Sequence, residues 1–255
     1  MSSPHALLGQ WRPLILISTN LFGIALFASW LLEPTRSLWM QLDNWAFWSM
    51  NNSLAEGNTW RWFWAITNNR VFDLVTLGCM LLLYSHYSLR KDRQNLNRYI
   101  AVGILMLIAV LVASQIGKAI PIIRPSATNY FPEALRLSHL VPEIPTKDIS
   151  GDTFPGDHGL ILLIYAGFVG FFMSRTYSVI ASVMMVVFTL PRLMSGAHWL
   201  TDEIVGAVSL GVITLSWILA TPLHAVTING LERWVAKRRG SLSRSEGIRE
   251  NNAQP

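Results

Sequence analysis

His198 and Asp202 stand four residues apart, the spacing that puts two side chains on one helix face within reach of each other. A carboxylate bonded to one ring nitrogen fixes the imidazole tautomer and raises the nucleophilicity of the other nitrogen. Arg192, six residues before His198, offers a planar fork of donors that suits phosphate oxygens. An arginine, a histidine and a carboxylate at this spacing can capture a phosphoryl group and attack it. Taken alone, the segment could also be chance polar residues gathered at a membrane surface.

Two further segments lie upstream. Phe154-Pro155-Gly156-Asp157-His158 reads as a Pro-Gly turn that delivers a second histidine, and the stretch 118–125 carries two more cations, Lys118 and Arg124. The order basic segment, turn histidine, then Arg-x5-His-x3-Asp resembles the type 2 phosphatidic acid phosphatase superfamily, whose motifs read K-x6-RP, PSGH and SR-x5-H-x3-D. The resemblance is closer to its lipid A 1-diphosphate synthase branch. It is carried by I-T-N-N-R-V-F-D at 66–73, P-T-K-D at 145–148, F-P-G-D-H-G at 154–159 and G-A-H-W-L-T-D at 196–202.

That resemblance implies a phosphotransferase in which His198 attacks phosphorus to form a phosphohistidine and Asp202 supports the imidazolium. His158 then protonates the leaving oxygen. Lys118, Arg124 and Arg192 would clamp the non-bridging oxygens, with Gly156 and the backbone N–H groups of Asp157 and His158 completing the anion site at a helix start. No metal or cofactor is implied, because three cations do the work of one. The implied substrates are two lipids, undecaprenyl diphosphate as donor and lipid A 1-phosphate as acceptor, and a small regulatory membrane peptide stays open as a further partner. Three departures stand out. Five residues, not six, separate Lys118 from Arg124; Gly156 and Asp157 replace Ser and Gly; and Pro191 replaces Ser, losing a hydroxyl and a backbone N–H. A phosphatase using water has little reason for all three, so they favour the synthase branch. A lipid pyrophosphate or phosphatidylglycerophosphate phosphatase is the alternative, and a non-enzymatic transporter a remote one, since transporters place ionisable residues at the midplane.

The elements that position these residues are set by composition. Of the 255 residues, 51% are hydrophobic and 14% charged, which describes a membrane protein. Apolar runs at 13–32, 71–89, 99–116, 159–173, 177–190 and 203–223 predict an all-α bundle of six transmembrane helices. One catalytic domain is expected over 1–236, followed by a polar, disordered tail at 237–255. The first run is too long for the core of a signal peptide and reads as a retained helix. Cations crowd the loop 90–98 and the segment after Leu223, which places those ends and both termini on the cytoplasmic side and the three motifs on the opposite one, which the resemblance implies is the periplasmic side of a bacterial inner membrane. The net charge of +5 is then a topology signal and not a sign of nucleic-acid binding. With Cys79 as its single cysteine, the chain can form no internal disulfide.

Trp39, Trp45, Trp48, Trp60, Trp62 and Trp64 crowd the first outer connection and predict short interfacial helices carrying an aromatic belt, or a grip on lipid at the entrance. Asn69 and Arg70 follow at the mouth of the second span. They read either as substrate-binding residues or as a hydrogen-bonded helix entry in which Asp73 pairs with Arg70.

Overall fold

The computed structural model describes residues 8–251, with side chains through 237. In chain order the helices are α1 (Pro13–Leu31), α2 (Thr35–Ser53), α3 (Asn58–Thr67) and α4 (Phe72–His86), the last continued by a π-helical turn at Tyr87–Lys91. Then come α5 (Leu96–Ala119), α6 (Ala127–Tyr130), α7 (Leu137–Leu140), α8 (Asp157–Phe172) and α9 (Arg175–Met194). A π-helical turn at Asp202–Ala207 opens α10 (Val208–Leu219), and α11 (Leu223–Asn251) ends the described chain. There is no strand among the described residues, only an isolated bridge between Asn69 and Thr146. The tail expected to be disordered at 237–255 has a helical backbone as far as Asn251, continuing α11, which corrects that expectation; residues 252–255 lie outside the described residues.

Among the described residues, five segments are long and apolar enough to cross a membrane: α1, α4 with its π-turn, α5, α9, and α10 with its π-turn. The sixth expected span corresponds to α8, which has 16 residues and falls short of that length. Its surroundings explain the difference. Eight of those residues are buried, and α8 packs against α5, α9 and α10, so its backbone lies within protein and need not match a lipid thickness. Leu160, Ile164 and Phe168 of α8 meet Ala101, Leu105, Ala109 and Ala113 of α5. The small residues at every fourth position but one let the helices approach closely. Tyr165 and Val169 pack against Tyr177 and Ala181 of α9.

This order of helices brings the last turns of α5 and α9 and the first turns of α8 and α10 to one end of the bundle. The connection between α5 and α8 folds over that end. Asp148 holds it together, accepting from Arg136 at 3.0 Å and from the Ser138 N–H at 2.8 Å, while its carbonyl accepts from Thr128. Helices α2 and α3 occupy the aromatic connection, and α2, at 19 residues, is not short. Trp45, Trp60 and Trp62 are exposed as a belt requires. Trp64 instead is buried with Leu54, Leu137 and Met194, docking α3 on the end of α9.

Candidate active site

Helix α9 ends where Gly196 takes a left-handed turn, φ 68°. A Cβ there would collide with Thr128 and Phe47, so only glycine fits both the conformation and the space. The turn sends the chain back on itself, and the His198 N–H donates to the Arg192 carbonyl at 3.2 Å. His198 therefore sits in a turn ahead of Asp202 rather than sharing a helix face with it, which corrects the expected geometry. The two still meet, with His198 Nδ1 3.5 Å from Asp202 Oδ2.

A shorter contact orients the ring. Nδ1 lies 3.0 Å from the Thr153 carbonyl, which can only accept, so in the neutral ring Nδ1 carries the proton and Nε2 keeps its lone pair. Nε2 faces the Asp157 carboxylate at 3.6 Å. Asp202 is fully buried behind the ring; its Oδ2 accepts the Trp199 N–H at 2.8 Å, and its carbonyl accepts the Gly156 N–H at 2.9 Å, joining the second motif to the third.

Arg124 is held against Asp202. Its guanidinium bonds Asp202 Oδ1 at 2.8 Å, Thr201 Oγ1 at 2.8 Å and Asp43 Oδ2 at 2.6 Å, and lies 4.7 Å from the Trp199 ring centre. Asp43 also accepts the Thr201 N–H at 2.9 Å. The chain Asp43–Arg124–Asp202–His198 thus fixes the His198 ring from behind, and deleting one partner of such a buried pair costs about 3–5 kcal/mol.

Arg192, 4% exposed, bonds Asp73 at 2.8 and 2.9 Å and Asn68 Oδ1 at 2.7 Å, and approaches His158 Nε2 at 3.0 Å. Asp73 is therefore the partner of Arg192 and of His158 (3.2 Å), not of Arg70, which is exposed. The Asn68 amide reaches the Lys147 carbonyl at 3.0 Å, and Asn69 holds the Pro145 carbonyl at 2.9 Å. These asparagines pin the segment 145–148 and so place Lys147.

Lys118, Lys147, Asp157 and His198 line one cleft of about 170 Å³ together with Asp152 and Thr153. Lys118 reaches it despite the shortened spacing. Gly156 caps α8, and Asp157 occupies its first turn, accepting from the His158 N–H at 2.8 Å and from His158 Nδ1 at 2.7 Å. The carboxylate of Asp157 thus takes the seat at the helix start that an incoming anion would use. One donor atom each from Asp157, His158 and His198 lie within 4.8 Å of one another, a spacing at which the trio could hold a metal ion.

Burial alone would depress the His198 pKa, but the hydrogen bond to Asp202 and the neighbouring carboxyl groups of Glu203, Asp202 and, least of the three, Asp157 outweigh it and hold it above its ordinary value. A nucleophilic His198 must be neutral, so the rate should rise with pH through this raised value. Asp157→Asn removes one cause, and the acid limb of kcat/KM should move to lower pH. An unmoved limb would show that Asp157 does not act on His198.

Spacing alone did not reveal Asp43, Lys147, the Asp73–Arg192 pair or the Thr153 carbonyl as parts of this site. The segment 145–148, already singled out, was the one signal for Lys147.

No protein-family model matches the chain, and no solved structure matches it. The chain is 39% identical over 209 residues to the lipid A 1-diphosphate synthase of Escherichia coli (strain K12), a match covering 82% of this chain and 88% of that protein. With identity at that level across most of both sequences, and a histidine site at one end of a helical membrane bundle, the chain belongs to the lipid A 1-diphosphate synthase family.

Proposed function

We propose that the chain transfers the terminal phosphoryl group of undecaprenyl diphosphate to lipid A 1-phosphate, giving undecaprenyl phosphate and lipid A 1-diphosphate. The observation that carries this reading is the lone pair of His198 Nε2, aimed into a cleft with Lys118 and Lys147 on its walls. Nε2 attacks the terminal phosphorus, the bridging P–O bond breaks, and undecaprenyl phosphate leaves with the bridging oxygen. An oxygen of lipid A 1-phosphate then attacks the phosphohistidine, the P–N bond breaks, and neutral His198 returns. Lys118 and Lys147 offset charge on the transferring group, with Arg192 behind His158. Residues 1–236 act as one catalytic domain. The cleft faces the periplasm and both termini the cytoplasm, a reading supported by the cations at the opposite end, where Arg98 pairs with Glu232 at 3.5 Å. The partners are the two lipids and, as a further proposal, a small regulatory membrane peptide.

The test is to incubate purified protein with terminally labelled undecaprenyl diphosphate, with and without lipid A 1-phosphate. Label in the acceptor lipid supports transfer, whereas inorganic phosphate alone in both samples means a phosphatase. His158 supplies the leaving-group proton through the ring that Arg192, Asp73 and Asp157 surround. His158→Ala should therefore slow transfer from undecaprenyl diphosphate by about 10²–10⁴. It should spare a donor whose leaving group departs without a proton. Equal losses on both donors would make His158 a phosphate-binding residue.

A further inference from the structure

One carboxyl group at this site has no partner. Glu203, the residue after Asp202, is 6% exposed, and neither of its side-chain oxygens makes a hydrogen bond. Below it, a groove of about 260 Å³ between α8, α9 and the start of α10 is lined by apolar side chains, among them Leu163, Leu190, Leu193 and Ile204. The hydroxyl of Thr189, also in that groove, is already bonded to the Met185 carbonyl. No side chain of that groove donates to the carboxyl. Above it, the oxygens press on the first turn of α8, where a Cβ on Gly156 or Gly159 would run into them. The acid thus fills space that a side chain at 156 would need.

An unpaired buried carboxylate is costly, and one beside Asp157 and Asp202 with no cation against it more so. As a carboxylic acid the group has one O–H to give, and an unmet donor in such surroundings is retained only at a price in stability. The carboxyl group lies where a side chain at 156 would begin, at the turn that leads into Asp157 and His158. An anion that takes this helix-start seat from the Asp157 carboxylate would meet α8 at the turn against which the Glu203 acid packs.

We propose that Glu203, as a carboxylic acid, donates a hydrogen bond to a phosphoryl oxygen of the bound lipid phosphate, supplying from α10 the hydroxyl-type donor that Gly156 lacks. The proposal rests on the phosphoryl-transfer reading. It makes Glu203 a catalytic residue and Gly156 the space that it requires.

The test measures the total rate of label loss from terminally labelled undecaprenyl diphosphate, whatever the acceptor. A failure of the acceptor assignment then appears in the products and a failure of this proposal in the rate. Glu203→Ala should lower the rate about ten- to a hundredfold, the range expected when a donor to a charged group is lost. Glu203→Gln, whose amide N–H can also donate, should restore most of that loss. Gly156→Ser alone should be impaired by collision with Glu203, yet in the Glu203→Ala background it should recover activity by offering a hydroxyl. Gly156→Ala in the same background fills the hole without a donor and should not. Equal rescue by Ser and Ala would reduce Glu203 to packing and overturn the proposal, as would full activity of Glu203→Ala or equal loss in Glu203→Gln. If Glu203→Ala fails to accumulate, Glu203→Met, of similar volume and without an O–H, is compared with Glu203→Gln instead. Equal rates in that pair would likewise overturn it.

Discussion

His198→Ala is expected to abolish phosphoryl transfer, by at least about 10³-fold, while the protein still inserts and folds. The ring makes one short hydrogen bond, to the Thr153 carbonyl, and its removal leaves that acceptor unpaired at a cost of roughly 1–3 kcal/mol. That is less than the usual stability of a folded domain. No other side chain can take over the covalent step. The ring nitrogens of His158 are engaged with Asp157, Arg192 and Asp73, and Ser195 spends its hydroxyl on the Arg192 carbonyl. Normal yield with activity near background, measured in vesicles with labelled donor, is the predicted result. Activity above a few per cent of wild type would remove His198 as the nucleophile.

Asp202→Asn is expected to produce the second large loss, of at least a hundredfold. In serine-protease triads the same change costs about 10⁴, largely because the amide admits the wrong tautomer. Here the Thr153 carbonyl holds the proton on Nδ1, so the tautomer survives and the loss reflects the missing charge behind the developing imidazolium. The smaller penalty is thus a consequence of this geometry. The fold should tolerate the change, because Arg124 keeps Asp43 as its partner at 2.6 Å. Kinetics with purified Asp202→Asn decide the matter, and a loss under tenfold would make the His198–Asp202 contact structural.

These two effects show what local patterning could reveal. The positions of His158, His198 and Asp202 at helix starts and turns are written in short segments, where a Pro-Gly turn and a glycine after a helix set the backbone. The apolar runs likewise announce the helices, except that α8 is shorter than a span because it is enclosed by α5, α9 and α10. The polar pairing was not legible in the same way. Arg124 turns towards Asp202 because Asp43, 81 positions away, draws it there, and no local spacing encodes such a contact. The Asp73–Arg192 pair joins residues 119 positions apart, and the nearby Arg70 was the only partner that adjacency could suggest. The acceptor that orients His198 is a backbone carbonyl, a group present at every residue and therefore without any signature. The partnerless state of Glu203 is a property of packing: a carboxylate one residue after Asp202 reads as an ordinary helix-start acid until the glycines of α8 are seen against it.

The central claim is that His198 carries the phosphoryl group between two lipids. Rapid quenching of the protein with terminally labelled undecaprenyl diphosphate, in the absence of acceptor, tests it most directly. The predicted result is label on the protein, stable to alkali and lost in acid as a phosphoramidate is, located in the peptide containing His198 and absent from His198→Ala. Adding lipid A 1-phosphate should then chase that label into the lipid. Transfer that proceeds at its normal rate with no labelled protein at any quench time, or label that remains on the protein when acceptor is added, would contradict it.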